Sequence, residues 1–347
     1  MRETIHIKAS RPYDAVIGKG ILKEIGPAIK ACLSYPHIVI LTDDNVDRLY
    51  AGTVVESLAQ AGLKCHKYVF PHGEQSKSID TLRDFISSMA ECGTGRADAV
   101  LALGGGVTGD IGGLAAALYM RGIGFIQVPT TLLAMTDSSV GGKTAIDIPQ
   151  GKNLIGAFHQ PSLVWCDTDT LGTLPHDILR DGYAEVIKYG ILFDREFFDG
   201  LTFESDIVRT VSASVRFKRD IVEADERDKG IRALLNLGHT VGHAIERLSD
   251  YSITHGEAVA MGMLRIARIG AAYGLEDCTD AICSKLTAFG FSTDCPYPAD
   301  DILNAALADK KRNADSITLV LPEHIGKCGL YNVSTAVFKE LLSTTER

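Results

Sequence analysis

Residues 234–246 read "LLNLGHTVGHAIE". His239 and His243 stand four apart at what reads as the opening of a helix. That spacing puts both imidazoles on one face, about a turn apart. Zinc proteases hold a metal with two histidines so spaced, so the pair is a chelate or only one of the two is a ligand. "THGEAVAMGML" (254–264) adds His255 ahead of a small-residue helix. There the helix dipole disfavours imidazolium and leaves a neutral nitrogen for a metal, although a lone histidine so placed is more often a cap or a packing residue. "GYAEVIKYG" (182–190) sets Glu185 and Lys188 at i, i+3. On a surface such a pair is worth about 0.2–0.5 kcal/mol. The mostly apolar flanks bury this helix, and a buried carboxylate needs a partner such as a metal.

Two further stretches suit anions. "LALGGGVTGD" (101–110) follows a buried apolar run and precedes a small-residue helix, with Gly104, Gly106 and Gly109 in G-x-G-x-x-G register. The pattern alone is weak, since turn glycines also serve packing. Its strand–turn–helix context supports a diphosphate on backbone N–H groups at a helix N-terminus. No acidic residue follows at the usual distance of about 20 residues to hold a ribose; Asp44 in "TDDN", and Glu74 with Lys77 in "PHGEQSKS", are the candidates. "TDSSVGGKTAIDIPQGKNLIGAF" (136–158) reads as a long polar loop, costly to order without a task. Lys143 or Lys152 alone would be a solvated surface lysine; with Asn153 and Arg121 of "MRG" they could line a phosphate or carboxylate pocket.

Periodic elements must position these groups. Short β-branched or apolar runs at 37–45, 64–70, 99–103 and 124–130 alternate with helical patterns at 45–62 and 78–93. Such alternation implies a parallel sheet with helices on both faces, and ligands at the carboxyl ends of its strands. From residue 175 the pattern turns helical, at 177–192, 205–223, 239–249, 256–273, 279–289 and 300–311. "SITLVLP" (316–322) is the clearest exception. The expectation is an α/β domain over 1–172 and an all-helical domain over 173–347.

Composition bounds the function. A 347-residue chain with 46% hydrophobic and 23% charged residues is that of a globular protein. No stretch approaches the roughly 18 apolar residues of a membrane span. The N-terminus lacks the apolar run of a signal peptide, and none of the eight cysteines forms C-x-x-C. A cytoplasmic protein without disulfides is expected. A net charge of −9 without a lysine or arginine run excludes an ordinary nucleic-acid face. Cations gathered in a few motifs of an acidic chain point to a small anionic substrate.

In order, "GEQSKS", "ALGGGVTGD", "MRG", "QVPTTLLAMTDSSVGGKTAID", "GKNLIGAFHQP", "DTDTLGTLP", "GYAEVIKYG", "ADERDKGIRALLNLGHTVGHAIE", "HGEAVAMGM" and "DKK" resemble the 3-dehydroquinate synthase family of the sugar-phosphate cyclases, over essentially the whole chain. The resemblance implies a Rossmann-like NAD-binding α/β domain followed by an all-α domain, in a homodimer. It implies NAD, and zinc or a substitute such as cobalt, held by Glu185, His239 and His255. It places Asp44, Glu74, Lys77, Gly105, Gly106, Val107, Asp110, Thr130 and Thr131 on the dinucleotide, with Asp137, Lys143 and Lys152 shared between dinucleotide and substrate. Asn153, Lys188, Lys218, Arg232, Asn236, His243 and Lys310 (beside Lys311) match substrate-site residues, and Arg121 the phosphate arginine. The implied reaction, a step of the shikimate pathway, turns 3-deoxy-D-arabino-heptulosonate 7-phosphate into 3-dehydroquinate and phosphate. It runs by transient oxidation, β-elimination, re-reduction and aldol closure.

Three alternatives stay open at this level: a 2-deoxy-scyllo-inosose synthase-type cyclase, a metal-dependent polyol dehydrogenase, and a non-catalytic NAD sensor with a structural metal. The paired lysines of "DKK" favour a carboxylate-bearing substrate over the first. The number of cations argues against the second. A structural metal usually takes four protein ligands, not three, which argues against the third.

Overall fold

The computed structural model describes residues 2–309 and 315–345. Its main sheet has seven strands: β1 (Arg2–Ile7), β2 (Tyr13–Gly18), β3 (His37–Asp43), β4 (Lys64–Phe70), β5 (Ala99–Gly104), β6 (Gly124–Pro129) and β9 (Leu163–Asp167). The order is β1-β2-β9-β6-β5-β3-β4, with β1 antiparallel to β2 and the other pairs parallel. Central strands covered on both faces must be apolar at every position, and all six residues of β5 are buried. Alternate side chains feed opposite cores. Ile38, Ile40, Leu101 and Leu103 join one cluster, and Val39, Leu41, Val100 and Ala102 the other. The expected helix after β4 forms as Ile79–Glu91, and the Ser78 side chain caps it by accepting from the Thr81 N–H.

The segment read as a loop is largely a hairpin. β7 (Lys143–Ile148) and β8 (Gly151–Phe158) pair antiparallel, with Lys143 opposite Phe158 and Ile148 opposite Gly151. Thr144 and Ile146 turn inward and are buried, which anchors a stretch whose polar and glycine-rich composition resembles a loop.

Contacts divide the chain into two compact units, one through Pro175 together with Asp206–Arg227, the other His176–Ser205 and Asp228 onward. The helix Ile207–Ala224, read in the sequence among the C-terminal helices, thus groups with the first unit. Glu223 accepts the Lys8 N–H, and Arg216 pairs with Glu3 of β1. The second unit is helical, with long helices His176–Phe193, His239–Leu248 and His255–Ala272. It departs from all-helical by one antiparallel hairpin, β10 (Ser316–His324) with β11 (Lys327–Ser334), which contains the strand-like "SITLVLP". Among the described residues no helix is long and apolar enough to cross a membrane, and all eight cysteines are free.

Candidate metal centre and dinucleotide cradle

In the helical unit, two helices bring the histidines together. Gly238, at φ 77, turns the chain into the helix His239–Leu248, a left-handed conformation that glycine adopts without strain. The helix His255–Ala272 packs against it backbone to backbone: a Cβ on Gly262 would stand 2.1 Å from the Gly238 carbonyl oxygen. No other residue fits there, and the close approach sets the His239 and His255 rings 5.3 Å apart, centroid to centroid.

Both rings face Glu185, on the buried helix His176–Phe193. Glu185 Oε1 is 3.4 Å from His239 Nε2 and 3.5 Å from His255 Nε2. These separations lie at the long end of the hydrogen-bond range. They match donors placed tetrahedrally about one ion with bonds of about 2.0–2.1 Å, which stand about 3.4 Å apart. The outward nitrogens are also engaged. His239 Nδ1 lies 3.0 Å from the Leu237 carbonyl, and His255 Nδ1 3.4 Å from Glu246 Oε2. That leaves the Nε2 lone pairs for a metal, and the donor set fits a divalent ion.

Electrostatics follow from the same neighbours. Burial first, then the Lys188 cation, pushes His239 down to about 3, so its ring is neutral. Burial also opposes charge on His255, but the Glu185 and Glu246 carboxylates outweigh it and hold that ring up to about 10. Lys188 pairs with the other oxygen of Glu185, both side chains at most 2% exposed. His243 is not in the Glu185 triad. Its side chain is 47% exposed, and its Nε2 is 4.0 Å from Glu246 Oε2. Among the described residues, His243, Glu246 and His255 form a second group of neighbouring donors. Arg232, buried, and Asn236, exposed, lie on the turn Ile231–Asn236 that leads to His239. Lys310 and Lys311 fall outside the described residues.

In the α/β unit, β5 ends at Gly104 and the helix Gly106–Leu118 begins two residues on. A Cβ on Gly104 would lie 2.3 Å from Thr108 Oγ1, so the loop needs glycine there for close approach. Gly105, Gly106 and Val107 open this helix, half-buried, with their amides at its N-terminus. Thr130 and Thr131 follow β6 alongside: the Thr130 N–H donates to the Gly104 carbonyl, yet its buried Oγ1 has no hydrogen-bond partner among the described residues. A waiting hydroxyl beside a glycine cradle at a helix N-terminus fits a dinucleotide.

Lys77 ties the cradle to the hairpin. Its buried Nζ is 2.6 Å from Asp110 Oδ2 and donates to Asn153 Oδ1 at 2.6 Å. Burial raises Asp110 to about 6 although Lys77 opposes it. Asn153 is held at a left-handed φ of 56, its N–H donating to Asp147 Oδ1 at 2.7 Å. Lys152 Nζ is 3.5 Å from Glu74 Oε1. Asp44 accepts from the His72 N–H, which with the His72 ring holds its carboxyl below the usual range. Lys218 Nζ donates to Asp137 through both carbonyl and carboxylate.

Two expectations part from the geometry. Lys143 and Lys152 sit at opposite ends of the hairpin, about 20 Å apart at about 3.3 Å per residue, so they do not line one pocket side by side. Arg121 is exposed just before β6, at the end of that strand away from Thr130 and Thr131. Sequence reasoning also passed over Asp147 and Glu246. Only Glu246 left a signal, three residues after His243 on the same helical face.

Solved structures place this arrangement in a class. A 2-deoxy-scyllo-inosose synthase complexed with carbaglucose-6-phosphate, NAD+ and Co2+ matches with a TM-score of 0.87 and 25% identity, over 99% of each chain. The 2-epi-5-epi-valiolone synthase of Streptomyces hygroscopicus subsp. jinggangensis, with NAD+ and Zn2+ bound, matches with a TM-score of 0.86 and 28% identity over 96% of each. The fold is that of the sugar-phosphate cyclases. Residues 67–181 match the 3-dehydroquinate synthase N-terminal family and residues 182–312 its C-terminal counterpart. The 3-dehydroquinate synthase of Caulobacter vibrioides is 44% identical over 336 residues, 91% of each chain. The chain belongs to the 3-dehydroquinate synthase family.

Proposed function

We propose that this enzyme converts 3-deoxy-D-arabino-heptulosonate 7-phosphate to 3-dehydroquinate and phosphate, with NAD and a divalent metal, zinc by preference, as reusable cofactors. The observation that carries the metal assignment is the spacing of Glu185 Oε1 from the Nε2 atoms of His239 and His255, at 3.4 and 3.5 Å. The higher identity of the synthase relative, 44% against 25%, favours this substrate over that of the inosose synthase. Three protein ligands leave a position for substrate, which supports an enzyme over a sensor with a structural metal.

When bound, the dinucleotide supplies reversible hydride transfer and the metal polarises the substrate hydroxyls. The chain supplies the rest. Glu185, His239 and His255 hold the ion; Gly105, Gly106, Val107, Asp110, Thr130 and Thr131 seat the dinucleotide, with Asp44, Glu74 and Lys77 at its flank. Lys152, Asn153, Lys188, Lys218, Arg232, Asn236, Asp137 and Lys310 bind and orient an anionic substrate. His243, exposed beside the metal histidines, hydrogen-bonds a hydroxyl or relays a proton.

A homodimer is part of this reading. Its support is β8, which exposes Leu154, Ile155 and Phe158 and, among the described residues, pairs along one edge only, with β7. Sedimentation of the wild-type chain tests it.

The function is tested by incubating the protein with NAD+, zinc and the heptulosonate phosphate, and following phosphate and dehydroquinate. Equimolar release of both, dependent on NAD+ and metal, is expected. Release of neither contradicts the proposal.

A further inference from the structure

A second carboxylate stands behind the metal-site histidines. Glu246 is 5% exposed. Its Oε2 is 3.4 Å from His255 Nδ1, while His255 Nε2 is 3.5 Å from Glu185 Oε1. The two nitrogens of one ring therefore face two buried carboxylates. His239 repeats the arrangement with a different partner: its Nδ1 lies 3.0 Å from the Leu237 carbonyl and its Nε2 faces Glu185. A neutral imidazole carries a single N–H. An acceptor at Nδ1 draws that proton to Nδ1 and frees the lone pair of Nε2. Histidine ligands of metals usually have such an outer partner, which fixes tautomer and ring orientation.

We propose that Glu246 is a positioning residue of the metal centre: it accepts the Nδ1–H of His255 and so presents His255 Nε2 to the ion held with Glu185 and His239. This rests on the reading of Glu185, His239 and His255 as the metal site. Glu246 reaches His255 because the glycine contact between the two helices brings their backbones together. Its place, seven residues after His239, keeps it on the same helical face. The competing role is that of a ligand, because His243, Glu246 and His255 are themselves near enough to share an ion. That role needs either Nδ1 of His255 for metal or a second ion, and both are measurable.

The full-length chain, Glu246→Gln and Glu246→Ala would each be stripped of metal and reloaded with Co2+. Metal per chain, the visible cobalt spectrum and the rate of metal loss to a chelator are then measured, and melting of the metal-free forms checks folding. The expected result is one ion per wild-type chain. Glu246→Ala loses it about 10–100-fold faster, with a changed cobalt spectrum. Glu246→Gln, whose amide oxygen still accepts the Nδ1–H, stays near wild type. Wild-type-like retention and spectrum in Glu246→Ala overturn the proposal. So does a wild-type chain with two ions, one of them lost in Glu246→Gln. A wild-type chain that takes up no metal overturns the underlying triad instead. Should Glu246→Ala not fold, nitrogen-15 histidine NMR of the zinc-loaded wild-type chain decides. A proton on Nδ1 of His255 with the metal-shifted resonance at Nε2 supports the proposal, and the reverse overturns it.

Discussion

Lys188 and Glu185 form an ion pair within one turn of a single helix, with side chains 2% and 1% exposed. The lysine takes Oε2 and leaves Oε1 toward the two histidines. Breaking a buried pair from one side strands the other charge, at a cost of about 3–5 kcal/mol. In Lys188→Met the metal-free protein should lose stability on that scale. Zinc should recover most of the loss, since the ion then faces the same carboxylate. Thermal melts with and without zinc check this; a metal-free melt equal to wild type would contradict it.

Lys77 and Asp110 make the corresponding pair in the α/β unit, 2.6 Å apart. Asp110 already sits at about 6 against an ordinary 3.8, because burial outweighs Lys77. Lys77→Met removes the opposing group and raises it further. A carboxyl with a raised folded value costs stability once pH exceeds its unfolded value, and the cost grows until pH passes the folded one. The mutant should therefore lose about 3–5 kcal/mol at pH 8 and clearly less at pH 5. Denaturant midpoints at the two pH values measure the difference. An equal loss at both would show that Asp110 does not govern it.

NAD+ should be required and not consumed. Substrate and products stand at the same net oxidation level, so each hydride removed must be returned. Turnover with NAD+ below the substrate concentration, monitored for NADH absorbance, should show many turnovers and no accumulation. NADH rising in step with product would favour a polyol dehydrogenase.

Much of this was legible in the sequence where the signal is local. β5 is an unbroken apolar run between turn signals, and the helices at 239 and 255 show their periodicity. The hairpin 143–158 was missed because its pairing brings only Thr144 and Ile146 into the interior, and its glycines mimic a loop. Lys77 bridging Asp110 and Asn153 joins residues 33 and 76 positions apart, a link that no periodicity encodes. In the sequence, Lys143 and Lys152 suggest one shared pocket for a phosphate or carboxylate. The antiparallel register separates them, since residues far from a hairpin's turn part from those beside it.

The division of labour between His239 and His243 is the central claim. They share one helix, yet only His239 faces Glu185, while the side chain of His243 is 47% exposed. Metal content of purified His239→Ala and His243→Ala, by elemental analysis, tests it most directly. The account predicts that His239→Ala is depleted of metal, whereas His243→Ala keeps nearly full occupancy and loses turnover. If His243→Ala is as metal-poor as His239→Ala, the two histidines form one chelate and the assignment is wrong.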